Sequence, residues 1–295
     1  MNFLSATARV PEHPAGMAVL GQRNSLAVLR ESPHGVYLDA ADLGEVLMPG
    51  KYVSPGLQAG DSVDVFLYRD SEDRLVATTE QPHVLVDQCA CLKVVGVRGG
   101  IGAFLDWGLE KDLLLPLREQ TGPLSVDDWV VVKVVVDERS NRLIATTRLK
   151  RHLDKTPAPF SAEQPVHILV AQETPLGYRC VVDHSHWGML YRTELGGTLR
   201  IGDEYEGVVR QVREDGKVDL RLDRAGYRRI APLADQILEA LRQNNGRLEL
   251  HDKTDPETIR EVFACSKKAF KQAVGSLLKA GKLELTDEGI ELPRP

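Results

Sequence analysis

Between residues 93 and 111 the chain gathers side chains that suit a bound polyanion: Phe104 and Trp107 stand near Lys93, Arg98 and Lys111. Aromatic faces stack on nucleobases while ammonium and guanidinium groups follow phosphates. Stacking is worth ~1–3 kcal/mol per base, so two or three platforms give useful affinity. Gly99-Gly100-Ile101-Gly102 adds backbone that can come close to a ligand. Other chemistries find weaker support. Gly99-Gly100-x-Gly102 lacks the Lys-Ser/Thr of a phosphate loop and the strand-to-helix setting of a dinucleotide turn. Asp183 and His184-x-His186, without a second carboxylate pair, form a poor metal set. Cys89, Cys91, Cys180 and Cys265 form no regular framework, which predicts reduced thiols and no zinc; Cys89 and Cys91 read as a packed pair on one strand face. No catalytic residue, cofactor or metal is expected.

The elements that must hold these residues repeat along the chain. Gly35-Val36-Tyr37-Leu38-Asp39 returns as Gly102-Ala103-Phe104-Leu105-Asp106, and Arg74-Leu75-Val76-Ala77-Thr78-Thr79 as Arg142-Leu143-Ile144-Ala145-Thr146-Thr147. A weaker third copy runs through Leu176-Gly177-Tyr178, Ile201-Gly202-Asp203 and Lys217-Val218-Asp219-Leu220. Each unit reads as five short strands rich in Val, Ile and Leu between Gly, Asp, Asn and Ser turns. In the second they fall near Ala90–Val97, Gly102–Trp107, Leu113–Pro116, Trp129–Asp137 and Leu143–Arg148. Five antiparallel strands of this size close economically as a Greek-key barrel of the oligonucleotide/oligosaccharide-binding (OB) kind; an SH3-like barrel has similar strand statistics. After Pro232 the period becomes helical at Leu233, Ile237, Leu238 and Leu241. Asp255-Pro256-Glu257 and Ser266 can start two further helices, and a terminal hairpin follows Gly281. That order predicts a winged helix. The fold class is thus mainly β with a C-terminal α+β module: barrels over 1–82, 83–160 and 161–230, and a winged helix over 231–295.

The segment Lys93-Val94-Val95-Gly96 through Gly102-Ala103-Phe104-Leu105-Asp106, with Asp112-Leu113-Leu114-Leu115-Pro116 and Arg142-Leu143-Ile144-Ala145-Thr146-Thr147, resembles the S1 RNA-binding domain. Three such units before a winged helix resemble the conserved virulence factor B family of bacterial RNA-binding regulators. The resemblance implies RNA binding and post-transcriptional control, without known catalysis; with the stacking residues above, single-stranded RNA is the expected partner. It places Phe104 at the aromatic of the family's G-A-F motif, with Ile101 where an aromatic is usual and Leu115 where a histidine is usual. In the first unit it points to His34 and Tyr37; in the third, to Tyr178 and to Tyr191 at the histidine position. An aromatic in such a strand is also commonly core.

Of the net charge of −6, residues 1–82 carry −5, so a polyanion surface is expected from residue 83 onward. Basic runs at Arg148, Lys150, Arg151 and Lys155, and at Arg221, Arg224, Arg228 and Arg229, read as nucleic-acid contacts or as solvated linkers. In the winged helix, Lys267, Lys268 and Lys271 lie in the first turns of the third helix, as an RNA, DNA or protein contact or a solvated face. No apolar run is long enough to span a bilayer, and the start lacks a leader pattern, so a cytoplasmic protein is expected. The alternative function is a winged-helix DNA-binding transcription regulator whose barrels serve protein assembly.

Overall fold

The computed structural model describes residues 18–195, 198–222, 233–244, 246–251, 254–263, 265–286 and 289–293. The chain divides into two compact units, Met1–Leu149 and Lys150–Pro295. In the first, β1 (Arg23–Ser32), β2 (Gly35–Asp39), β3 (Glu45–Pro49), β4 (Ser62–Arg69) and β5 (Leu75–Thr78) close into a barrel of order β1-β2-β3-β5-β4. β4 returns antiparallel to β1, and β3 meets β5 in parallel at Leu47 and Val76, as in an OB barrel. The second module has β6 (Cys89–Arg98), β7 (Gly102–Asp106), β8 (Leu113–Pro116), β9 (Trp129–Asp137) and β10 (Arg142–Thr146), at the expected places with ends shifted by a residue or two. Here β8 and β10 lie side by side without a ladder. Glu119 spans the gap: its carboxylate accepts from Thr146 Oγ1 at 2.8 Å and its carbonyl from Thr147 N at 3.1 Å.

Two devices recur with the repeat. Val28, Val94 and Val170 each precede a bulge in the first strand of their module. Each exchanges both backbone hydrogen bonds with the turn before the fourth strand: Val28 with Gly60 and Asp61, Val94 with Asp127 and Asp128, Val170 with Gly202 and Asp203. In the second module a left-handed Asp127, at φ 74°, does what glycine does in the others. The other device is the glycine that opens each second strand. A Cβ on Gly35, Gly102 or Gly177 would stand 2.0, 2.2 or 2.1 Å from the carbonyl oxygen of Met48, Leu115 or Leu190, so the third strand can approach only a bare Cα.

The first barrel has an interior of its own around Leu38, Met48 and Leu67, and the core of the second module extends over the outer side of that barrel. Trp107, only 3% exposed, meets Phe66 edge to face with ring centres 5.6 Å apart; Phe66, Tyr68 and Val76 of the first barrel pack in one cluster with Val94, Leu105 and Leu115 of the second. The indole N–H donates to the Lys111 carbonyl at 2.6 Å. Lys111 Nζ in turn donates to the carbonyls of Arg69 and Asp70 at 2.8 and 2.7 Å. Burial, with Arg142 nearby, holds that ammonium below the ordinary lysine range. Arg142 pairs with Asp73 at 2.7 Å, and Arg69 Nε donates to the Asn141 carbonyl at 3.1 Å, which ties the β4–β5 turn to the β9–β10 turn. Two expectations are corrected here. Trp107 is no exposed platform and the Lys111 ammonium is taken by backbone carbonyls, because the apolar outer side of β4 needs a cover.

In the second unit, β11 (Pro165–Thr174), β12 (Gly177–Val182), β13 (His186–Tyr191), β14 (Glu204–Val212) and β15 (Val218–Leu222) form a closed barrel of the same order. The segment before it is pinned to β13: Asp154 Oδ1 accepts from Trp187 N at 2.9 Å, and the buried His186 ring bonds the Thr156 carbonyl at 3.0 Å. The C-terminal module runs α1 (Leu233–Gln243), β16 (Arg247–Leu248), α2 (Pro256–Phe263), α3 (Lys267–Lys279), β17 (Glu284–Thr286) and β18 (Gly289–Glu291). Asp255 Oδ2 accepts from Glu257 N at 2.8 Å and Ser266 Oγ from Ala269 N at 3.2 Å, the caps that the sequence implies. Pro232, Arg224, Arg228 and Arg229 lie outside the described residues. Among the described residues no helix is long and apolar enough to cross a membrane, and no three His, Cys, Asp or Glu side chains gather to hold a metal ion.

Because Trp107 belongs to a core that spans two modules, we expect Trp107→Ala to remove ~3–5 kcal/mol of stability. Chemical denaturation followed by circular dichroism should show β-structure of both modules lost in one transition; loss confined to one would refute the shared core.

Candidate nucleic-acid interface

From each opening glycine the strand alternates. The next residue points inward (Val36, Ala103, Tyr178) and the one after it outward (Tyr37, Phe104, Arg179). Opposite the outward residue on the third strand lie the half-buried Leu47, Leu114 and Met189. This outer surface of the second and third strands is where OB barrels receive oligonucleotides. An arginine meets a ring on it in all three modules. The Arg30 guanidinium lies 3.8 Å from the centre of the Tyr37 ring and pairs with Glu45 at 2.9 Å. Arg98 lies 5.3 Å from Phe104. In the third barrel the parts are exchanged: Arg179 comes from the second strand and covers Trp187 of the third at 4.0 Å.

The expected residues fall into distinct groups. Tyr37 and Phe104 are half-buried on this surface, Arg98 and His34 are exposed beside it, and Lys93 shares its row with the 47%-exposed Trp129. Lys93 Nζ is held by Asp127 at 2.7 Å. Tyr178 is corrected: alternation from Gly177 turns it into the core at 1% exposure, and Arg179 takes the outer place. Lys267 is corrected in part, since its Nζ donates to the Thr254 carbonyl at 2.8 Å; Lys268 and Lys271 are exposed on α3. Tyr191 is on the outer side of β13, its hydroxyl donating to Asp219 Oδ1 at 3.0 Å. Arg30, Trp129, Arg179 and Trp187 were not singled out from the sequence. Counting two residues from Gly177, as from Gly35 and Gly102, would have found Arg179.

Asp219 is buried at a side-chain exposure of 4% and has donors on every side. Arg213 Nε donates to its two oxygens at 3.1 and 3.0 Å, Arg213 Nη2 at 2.8 Å and Gln211 Nε2 at 2.6 Å. Arg213 Nη2 also donates to the Tyr191 hydroxyl. Burial works to raise the Asp219 pKa, but the bonds from Arg213, Gln211 and Tyr191 outweigh it and hold the carboxyl below its ordinary range.

Fold and site together define a multi-barrel protein of the S1 class with a winged helix at its C-terminal end. A family model described as S1 domain matches residues 20–80, and one described as CvfB-like winged helix domain matches residues 235–292. The chain is 30% identical over 270 residues to YitL of Bacillus subtilis (strain 168), covering 89% of this chain and 90% of that protein. It is 26% identical over 253 residues to conserved virulence factor B of Staphylococcus haemolyticus (strain JCSC1435), covering 79% and 82%. A crystal structure of a multidomain protein with nucleic acid binding domains from Streptococcus pneumoniae TIGR4 aligns over 93% of this chain and 98% of that one, at 24% identity and a TM-score of 0.42. The chain belongs to the family of YitL and conserved virulence factor B.

The Asp219 network makes stability depend on pH in a definite direction. A carboxyl whose folded-state pKa is depressed stabilises the fold above its unfolded value, and that contribution is lost as pH falls through the folded value. We expect the melting temperature to fall on acidification from pH ~5 to pH ~3, and to fall less in Asp219→Val. Circular dichroism melts of both proteins check this; an equal fall would show that Asp219 takes no part.

Proposed function

We propose that this chain binds single-stranded RNA on the outer surfaces of the second and third strands of its barrels, and acts as a non-catalytic, post-transcriptional regulator. The observation that carries this reading is the meeting of an arginine with a ring on that surface in each module: Arg30 with Tyr37, Arg98 with Phe104, Arg179 with Trp187. Rings accept unpaired bases whatever their sequence, and the guanidinium beside each ring is a partner for the adjoining phosphate. A duplex, whose bases are already stacked, would gain little from such platforms. The second and third barrels supply most of the affinity. The first is acidic, and its Arg30 is already paired with Glu45. The winged helix has an auxiliary role, in RNA or protein contact, since Lys268 and Lys271 neutralise few phosphates.

Titration of the whole chain against single-stranded RNA, single-stranded DNA and duplex DNA at several salt concentrations tests the reading. Tightest binding to single-stranded RNA supports it; a preference for duplex DNA would favour a winged-helix DNA regulator instead. Phe104→Ala should cost ~1–3 kcal/mol of RNA affinity and leave the salt slope unchanged, because no phosphate partner is removed. Replacing Lys267, Lys268 and Lys271 together by Ala should weaken RNA binding by less than about tenfold, the effect of few phosphate contacts. Complete loss would make the winged helix the main site.

A further inference from the structure

The third barrel departs from its repeats at one buried position. Gly35 pairs with Pro49 and Gly177 with Tyr191, so Leu47 and Met189 correspond; Leu47 pairs with Val76, and Met189 with Asp219. Asp219 therefore stands where the first barrel has Val76 and, by the sequence repeat, where the second has Ile144. A buried carboxylate in place of an aliphatic group is costly unless donors surround it, and the donors that do so are then held in one geometry. Those donors are Tyr191, Arg213 and Gln211.

The geometry so imposed differs from that at the other rings. Trp187, Met189 and Tyr191 alternate along the outer side of β13, and Arg179 covers Trp187 at 4.0 Å. Arg213 does not cover Tyr191 in this way. Its central carbon is 5.9 Å from the ring centre while Nη2 bonds the hydroxyl, so the guanidinium lies beyond the hydroxyl along the ring's long axis. The phenol and the guanidinium thus lie end to end and together reach further than one ring. Bases stack on aromatic rings and on arginine planes alike. A purine, with two fused rings, can lie over both groups, whereas a pyrimidine on the phenol leaves the guanidinium uncovered.

We propose that Tyr191 and Arg213 form a purine-selective stacking position on the third barrel, with Asp219 as the residue that positions both. This deepens the RNA-binding reading and rests on it. The test uses the whole chain and two labelled RNAs: an oligouridine of about ten nucleotides, a length within the span of one barrel, and the same oligomer with one central adenosine. The readout is the ratio of the two affinities, taken on variants whose circular dichroism spectrum and melt match the wild type, because unfolding of the third barrel alone would also bring the ratio to one. The wild type should favour the adenosine-containing RNA by about fivefold, a fraction of one stacking interaction. Arg213→Lys keeps the charge and loses the plane, and Asp219→Val installs the residue of the first barrel. Either should bring the ratio close to one. A ratio unchanged in both variants, or a wild type that binds both RNAs equally, overturns the purine inference and leaves RNA binding standing. A wild type that binds neither RNA overturns both.

Discussion

The approach of each third strand onto a glycine that has no room for a Cβ is the constraint on which the barrel surfaces depend. Met48, Leu115 and Leu190 place their carbonyl oxygens where any side chain on Gly35, Gly102 or Gly177 would be. The contact sets the register between second and third strands, and in a strand of period two the register decides which side chains face the core. Tyr37 and Phe104 thereby face outward, and Leu38 and Leu105 inward. The third barrel obeys the same rule with different residues, which is how Tyr178 enters the core while Arg179 and Trp187 form the outer pair.

A chain with few aromatic residues must divide them between stability and recognition. Phe66, Tyr68 and Trp107 go to the core shared by the first two modules, and Phe263 and Phe270 stack inside the C-terminal module with centres 5.7 Å apart. Tyr37, Phe104, Trp129, Trp187 and Tyr191 keep part of their surface on barrel exteriors. The β4–β5 turn of the first module and the β9–β10 turn of the second are committed to each other through Asp73, Asn141 and Arg142. In OB barrels the loop between the fourth and fifth strands commonly touches the ligand. Its use here as a joint leaves the strand faces of these modules as the surface for the proposed RNA contact. In the third barrel the corresponding turn supplies Arg213, bonded to Asp219 of its own module.

Much of this was legible in the sequence because the relevant physics is local. Strand alternation, the Gly-Asp turns, and the caps at Asp255 and Ser266 depend on residues a few positions apart, and the repeat supplies each module with two internal comparisons. The places of Trp107 and Lys111 are not legible in the sequence, because their burial comes from β4 of another module and no local pattern shows a contact across some 40 residues. Tyr178 differs for another reason: it follows its glycine by one residue where Tyr37 and Phe104 follow theirs by two, so strand alternation turns its ring inward. The pairing of arginines with rings depends on long side chains that cross strands, as Arg30 does to reach both Tyr37 and Glu45, and spacing alone does not register it.

The proposed path of single-stranded RNA runs over the outer surfaces of the second and third strands. Ultraviolet cross-linking of the whole chain to a uridine-rich RNA, followed by mass spectrometric mapping of the adducts, tests it most directly. Adducts are expected at Phe104 and at Trp187 or Tyr191, with fewer at Tyr37. Adducts confined to α3 and the terminal hairpin, with these rings unmarked, would contradict it.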